Sequence, residues 1–119
     1  MLTRDFLDNV PKPGAPEKLH VKAWGLDVWV ADPTCDMVDE WEAFCERHTA
    51  PDKTILPGPW RATLASILLC DESGKRLYTA DDVPLLGEQL PEALKEIWSV
   101  GIKKLKADTD QEIEEKAKN

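Results

Sequence analysis

From Ala62 to Cys70 the chain is apolar on nearly every side of a would-be helix. A helix that is apolar all round cannot lie on a surface and has to be enclosed. Other elements must therefore surround this segment, and the rest of the chain has to supply them. At 119 residues the chain is large enough to do so once. A domain of this size buries roughly two thirds of its unfolded surface around a single core. Pro59 suits the first turn of such a helix, where its missing N–H is not needed. The spacing predicts a central helix over 60–70. Asp71 to Gly74 then form a polar turn, and Leu77 and Tyr78 return to the core. Thr79 is an N-cap, with Asp81 and Asp82 where a helix dipole favours negative charge.

The segments on either side have their own periods. In residues 1–10, Thr3 can cap a short helix in which Leu2, Phe6, Leu7 and Val10 share a side. Pro11–Pro16 breaks regular structure and acts as a semi-rigid linker. Leu19, Val21 and Ala23 then alternate with Lys18, His20 and Lys22, and Leu26, Val28 and Val30 with Asp27, Trp29 and Ala31. This predicts a β-hairpin with a tight turn at Trp24-Gly25, Val21 facing Val28 and Leu19 facing Val30. A two-stranded ribbon is marginal alone, so its aliphatic side must rest on helices.

Asp32-Pro33 reads as an N-cap and first helical turn. Met37, Val38, Trp41, Phe44, Cys45 and His48 follow on one helical stripe. Thr49–Pro59 has no periodicity and reads as a loop pinned by Ile55 and Leu56. Pro84 limits the next helix to a turn or two. Pro91 opens the longest one, with Leu94, Ile97, Trp98, Gly101, Ile102 and Leu105 on its apolar face. A helix glycine costs ~1 kcal/mol against alanine, so Gly101 calls for a close neighbour. Thr109 and Glu112 match a capping box in a tail carrying one large apolar residue, Ile113. So short a segment is not helical alone in water, which predicts a tail that orders on binding. The expected fold is α+β and mostly helical: an N-terminal β-hairpin on about four helices with a flexible C-terminal tail. The expected division is an arm and linker at 1–16, a globular domain at 17–107 and a charged tail at 108–119.

Net charge is −8, which argues against nucleic acid or anionic lipid as the main ligand. Three cysteines cannot all pair within one chain, and none forms a CxxC. Reduced thiols in a cytoplasmic protein are the simple reading. The first residues are too charged for a secretion signal, and no apolar run approaches the ~20 residues of a membrane span.

Little in the chain suits catalysis. Cys45 and His48 stand three apart and could share a metal with Cys35 or Cys70, but structural zinc wants four ligands in paired spacings. Asp108, Asp110, Glu112 and Glu114 alternate, yet an EF-hand loop would need glycine where Ile113 stands. Neither histidine has a sequence cue placing it beside a nucleophile, and Gly74-Lys75 lacks a phosphate loop. The expectation is no enzyme, no metal and no cofactor. Five tryptophans are many for this length. Trp41, Trp60 and Trp98 lie on helix stripes and read as core. Trp24 and Trp29 have no such place. Either the arm or the Thr49–Pro59 loop covers them, or they bind a partner, a mode in which tryptophan is enriched.

The wording of residues 60–90, WRATLASILLCDESGKRLYTADDVPLLGEQL, follows a Trp-Gly hairpin and a helix containing DEWEAF. An amphipathic helix and an acidic, lysine-rich tail come after it. Across about residues 17–119 this order resembles the tail assembly chaperones of long-tailed bacteriophages. The resemblance implies a non-catalytic protein that binds the tape-measure protein, and the tail tube protein when joined to a longer frameshifted extension. Such a protein keeps them soluble in the host cytoplasm and is absent from the finished particle. Trp24, Trp29 and Ile113 are then the expected partner contacts. A different reading is a small acidic inhibitor, antitoxin-like, that blocks a basic surface through Asp36, Asp39, Glu40 and Glu46.

Overall fold

In the computed structural model, residues 4–10 and 12–118 are described, their side chains included except at Arg4, Leu7, Asn9 and 106–118. The apolar segment is the hub, as its composition requires. Helix α2 (Trp60–Leu68) packs against α1 (Cys35–Arg47), α3 (Val83–Gly87) and α4 (Pro91–Lys118). Every residue from Ala62 to Cys70 is buried, and Leu64, Ala65, Ile67 and Leu68 have no exposed surface. Strands β1 (Glu17–Val21) and β2 (Leu26–Val30) form the hairpin, whose aliphatic side lies against α4. Val21 and Val30 reach the core with no exposure. A 3-10 helix spans Arg4–Asn9 ahead of the linker. The fold is α+β, with a three-stranded antiparallel sheet and four α-helices among the described residues.

Two parts of the chain differ from the sequence expectation. The hairpin register is offset by two residues: Leu19 pairs with Val28 and Val21 with Leu26. A two-residue turn at Trp24-Gly25 would put both at positive φ, which is costly for tryptophan. Instead a four-residue loop, Lys22–Gly25, closes the hairpin. Gly25 alone takes positive φ (65°), and its N–H donates to the Val21 carbonyl at 2.9 Å. An even offset keeps each side chain on its original face, so the aliphatic side still meets the helices.

The central helix also ends early. It stops at Leu68, and Leu69–Cys70 form a third strand, β3, paired with Val30 and Trp29 of β2. The Ala31 N–H donates to the Leu68 carbonyl (2.9 Å), and that of Leu77 to Leu69 (3.1 Å). Those bonds outbid one more helical turn. An unbroken apolar run looks the same as a buried helix or a buried strand, so periodicity could not separate them. The turn after β3 is held by Asp71, whose Oδ1 accepts from the N–H groups of Ser73 and Lys75 and from the Ser73 hydroxyl. Those bonds, the Ser73 hydroxyl first, hold its carboxyl below the ordinary value of 3.8.

Caps set the other boundaries. Helix α1 begins after Thr34, not at Asp32-Pro33. The Thr34 hydroxyl accepts from the Met37 N–H (3.3 Å). Asp32 is unavailable because its carboxylate accepts the Gly14 N–H of the linker. Thr79 caps as expected, its hydroxyl accepting from Asp81 while its N–H donates to Asp82 (2.8 Å). Pro84 sits in a helix of five residues. Gly101 of α4 meets Leu64 and Leu68, both within 2.7 Å of where a Cβ would stand. The backbone of α4 stays helical to Lys118.

Arg76 joins the layers. Its guanidinium donates to both carboxylate oxygens of Glu40 on α1, at 3.1 and 2.9 Å, while Nε donates to the carbonyls of Ser66 and Tyr78. A planar fork meeting a carboxylate in this way cannot be copied by lysine.

Candidate functional site: an aromatic groove

The helical stripe of α1 does more than fill the core. Trp41, exposed by 2%, carries Phe44 stacked on it, while Trp60 and Trp98 meet it edge-on at 6.0 and 5.7 Å between centroids. His48 stacks on Phe44 at 4.1 Å, and its Nδ1–H donates to the Phe44 carbonyl at 3.0 Å. Trp60 and Trp98 are only half-buried. They border an open groove of about 670 Å³ between α1, the start of α2 and the start of α4. Cys45 and Trp41 line the α1 side, and Pro91, Leu94 and Trp98 the α4 side. The third wall is Ile55 and residues 58–62.

That third wall is shared by the start of α2 and the Thr49–Pro59 loop, which is not held by Ile55 and Leu56 as expected. Both side chains face solvent, Ile55 by 71%. Backbone contacts hold the loop instead. The Leu56 N–H donates to the His48 carbonyl (2.9 Å), the Trp60 indole N–H donates to the Leu56 carbonyl (2.9 Å), and Gly58 packs against the His48 ring. A loop with its backbone satisfied leaves its apolar side chains free to meet something else.

Seven large apolar side chains are exposed among the described residues, and one of them, Ile55, lines this groove. Leu56 follows Ile55, Leu85 lies two residues before the lining Gly87, and Leu90 sits between the lining Gln89 and Pro91. Arg61 is the single charged residue among those that line it. The arrangement suits an apolar ridge that brings a carboxylate to one end. His48 is engaged in ring stacking, and among the described residues no three metal-ligating side chains converge.

Trp24 and Trp29 are both half-buried and lie apart from this groove. Trp24 packs on the core beside the hairpin turn, whereas Trp29 carries Lys18 over its ring at 5.8 Å from the centroid. Ile113, together with Thr109 and Glu112, falls outside the residues whose side chains are described. Sequence reasoning assigned Trp41, Trp60 and Trp98 to the core without seeing that two of them also border a surface. The available signal was the prolines: Pro57, Pro59 and Pro91 interrupt the chain beside Trp60 and Leu94, where helix starts leave a gap.

Cys35 is exposed, and the Asp39 carboxylate, 3.8 Å away, pushes its thiol above the ordinary value. Cys70 is buried, and burial pushes its thiol up too. Among the described residues no helix is long and apolar enough to cross a membrane. Comparison with family models, with curated proteins and with solved structures found no match to this chain.

Proposed function

We propose that this chain is a non-catalytic tail assembly chaperone of a long-tailed bacteriophage. In that role it holds the tape-measure protein, and the tail tube protein, soluble in the host cytoplasm before assembly. The observation that carries the reading is the open aromatic groove itself, bordered by the half-buried Trp60 and Trp98 and lined by the exposed Ile55. A tape-measure chain is long and helical with apolar stripes, and uncovered copies self-associate. An apolar stripe laid in the groove buries its anchors there, each worth ~1.5–3 kcal/mol. The surrounding charge of −8 keeps the complex apart from its like. The order of motifs across residues 17–119 is the second support.

On this reading Ile55 and the rims of Trp60 and Trp98 stand beside Trp24, Trp29 and Ile113 as candidate partner contacts. The inhibitor reading gains less, because Glu40 is already engaged by Arg76.

The test is co-expression with the tape-measure protein. The native chain should keep it in the soluble fraction and co-purify with it. Ile55→Glu and Leu90→Glu alter side chains exposed by 71% and 56%, so both variants should keep the native far-UV spectrum and melting temperature. Each should lose most of the co-purified partner. Equal recovery with native chain and variants, or a partner equally insoluble without any chain, defeats the reading.

A further inference from the structure

We infer that Arg61 selects what enters the groove: it admits apolar helical segments that carry a carboxylate beside their anchors and turns away those that carry a cation there. This rests on the groove being the docking surface of the proposed function, and it names the chemistry of the segment that docks.

The position of Arg61 works against its own helix. Arg61 is the second residue of α2, where the helix dipole favours negative charge. Helix α1 has Asp36 in its first turn and α4 has Glu92, whereas α2 has no acid there. A side chain that opposes a local rule points to a use other than stability.

Its surroundings give the use. The groove is otherwise lined without charge. Gln89, the other long polar side chain on it, already donates to the Leu85 carbonyl. Arg61 is exposed, and among the described residues its guanidinium has neither an ion pair nor a hydrogen bond. The chain holds 23 acidic residues to 15 basic, yet Arg61 is left open beside an aromatic slot. Arg76 shows what a guanidinium does in this fold when a carboxylate is within reach: it takes Glu40 by both oxygens. An anchor seated against Trp60 and Trp98 presents the residues three and four positions along its own helix on the same face. A carboxylate at that spacing can be gripped by the Arg61 fork. An ammonium there would meet a like charge.

Net charge makes the opposite forecast. At −8 the chain attracts basic segments over a distance. At ~0.15 M salt the Debye length is ~8 Å, so that attraction is screened while a contact pair persists.

The probe is a synthetic amphipathic helix with one leucine stripe and one variable residue beside it. That residue is glutamate, glutamine or lysine, and it is walked along the stripe. Trp60 and Trp98 line the groove, so tryptophan emission reads binding. At the best position and ~0.15 M salt, the glutamate form should bind the native chain ~5-fold more tightly than the glutamine form, and the lysine form more weakly than either. Arg61→Gln should remove the preference for glutamate, and Arg61→Glu should reverse the order. Arg61→Glu should melt no lower than the native chain, because an acid suits the dipole there. Equal binding of the three forms, binding by none, or a preference for glutamate that survives Arg61→Glu overturns the inference. So does a lowered melting temperature in Arg61→Glu, which would make Arg61 a residue of the fold.

None of these measurements uses the tape-measure protein. A chain that prefers acidic peptides but leaves that protein insoluble keeps this inference and loses the chaperone role. A chain that keeps it soluble yet binds the three peptides alike does the reverse.

Discussion

Replacing Gly101 by alanine sets two known effects against each other at one atom. Helix propensity alone predicts a gain of ~1 kcal/mol, because glycine in a helix interior costs about that much. The packing predicts the opposite. The new Cβ would stand 2.7 Å from the Leu64 Cδ2 and 2.7 Å from the Leu68 Cδ1. Ordinary carbon contacts are ~3.5–4.0 Å, so each leucine must retreat by roughly 1 Å. Both have no exposed surface, which leaves no solvent to retreat into. Overpacking of this kind costs ~1–3 kcal/mol. The net expectation is a loss of ~1 kcal/mol, or roughly 4 °C in melting temperature at this chain length. Urea denaturation at constant slope reads the free energy. The cause is isolated by repeating the change in a Leu68→Ala background, where the methyl enters space vacated by the leucine. There it should be neutral or stabilising, giving a coupling of ~1 kcal/mol or more. A stabilised Gly101→Ala, with strict additivity in the double variant, would refute the argument from close approach.

Other residues give similarly direct expectations. Arg76→Ala removes the fork on Glu40 and the donor to the buried Ser66 carbonyl, and should cost ~2–3 kcal/mol. Arg76→Lys should recover only part of it, as urea midpoints will show. Asp71 has its folded-state carboxyl held below the ordinary 3.8, so its contribution is present above that value and is lost as pH falls through the lowered one. Asp71→Asn keeps an acceptor but cannot titrate, and should flatten the fall of the urea midpoint as the pH drops through and below the ordinary carboxylate range. Cys35 is exposed but faces Asp39, so Asp39→Asn should speed its labelling by a thiol reagent at pH 8. Cys70, being buried, should label only on unfolding.

The fold class could be read from the chain because each element carries its own period. Leu19–Val21 and Val28–Val30 alternate, the α1 and α4 stripes repeat helically, and Ala62–Cys70 is apolar throughout. What escaped was set by tertiary bonding. Whether Leu69 and Cys70 continue a helix or join a sheet depends on Trp29 and Val30, forty residues away. The hairpin offset turned on whether tryptophan would accept positive φ. Arg76 looked like an ordinary surface cation, since its four acceptor atoms belong to two distant residues, Glu40 and Ser66, and one near one, Tyr78. The groove was half legible. The three indoles that frame it stood on predicted stripes, but a stripe says which side is apolar and not how much of it the neighbours cover. Trp24 and Trp29 drew notice for lacking a stripe, and Trp24 packs on the core beside the hairpin turn while Trp29 lies under Lys18.

Helix α2 passes into β3 with no intervening residue. One end of this rod borders the indole slot and the other is stitched into the sheet. No joint separates the two, so a load applied at one end arrives at the other. Cutting away the ribbon of residues 17–30 would therefore not leave a smaller working clamp. It would strip two partners from the rod that positions Trp60, and amide exchange at Cys70, which pairs with Trp29, would report that loss first.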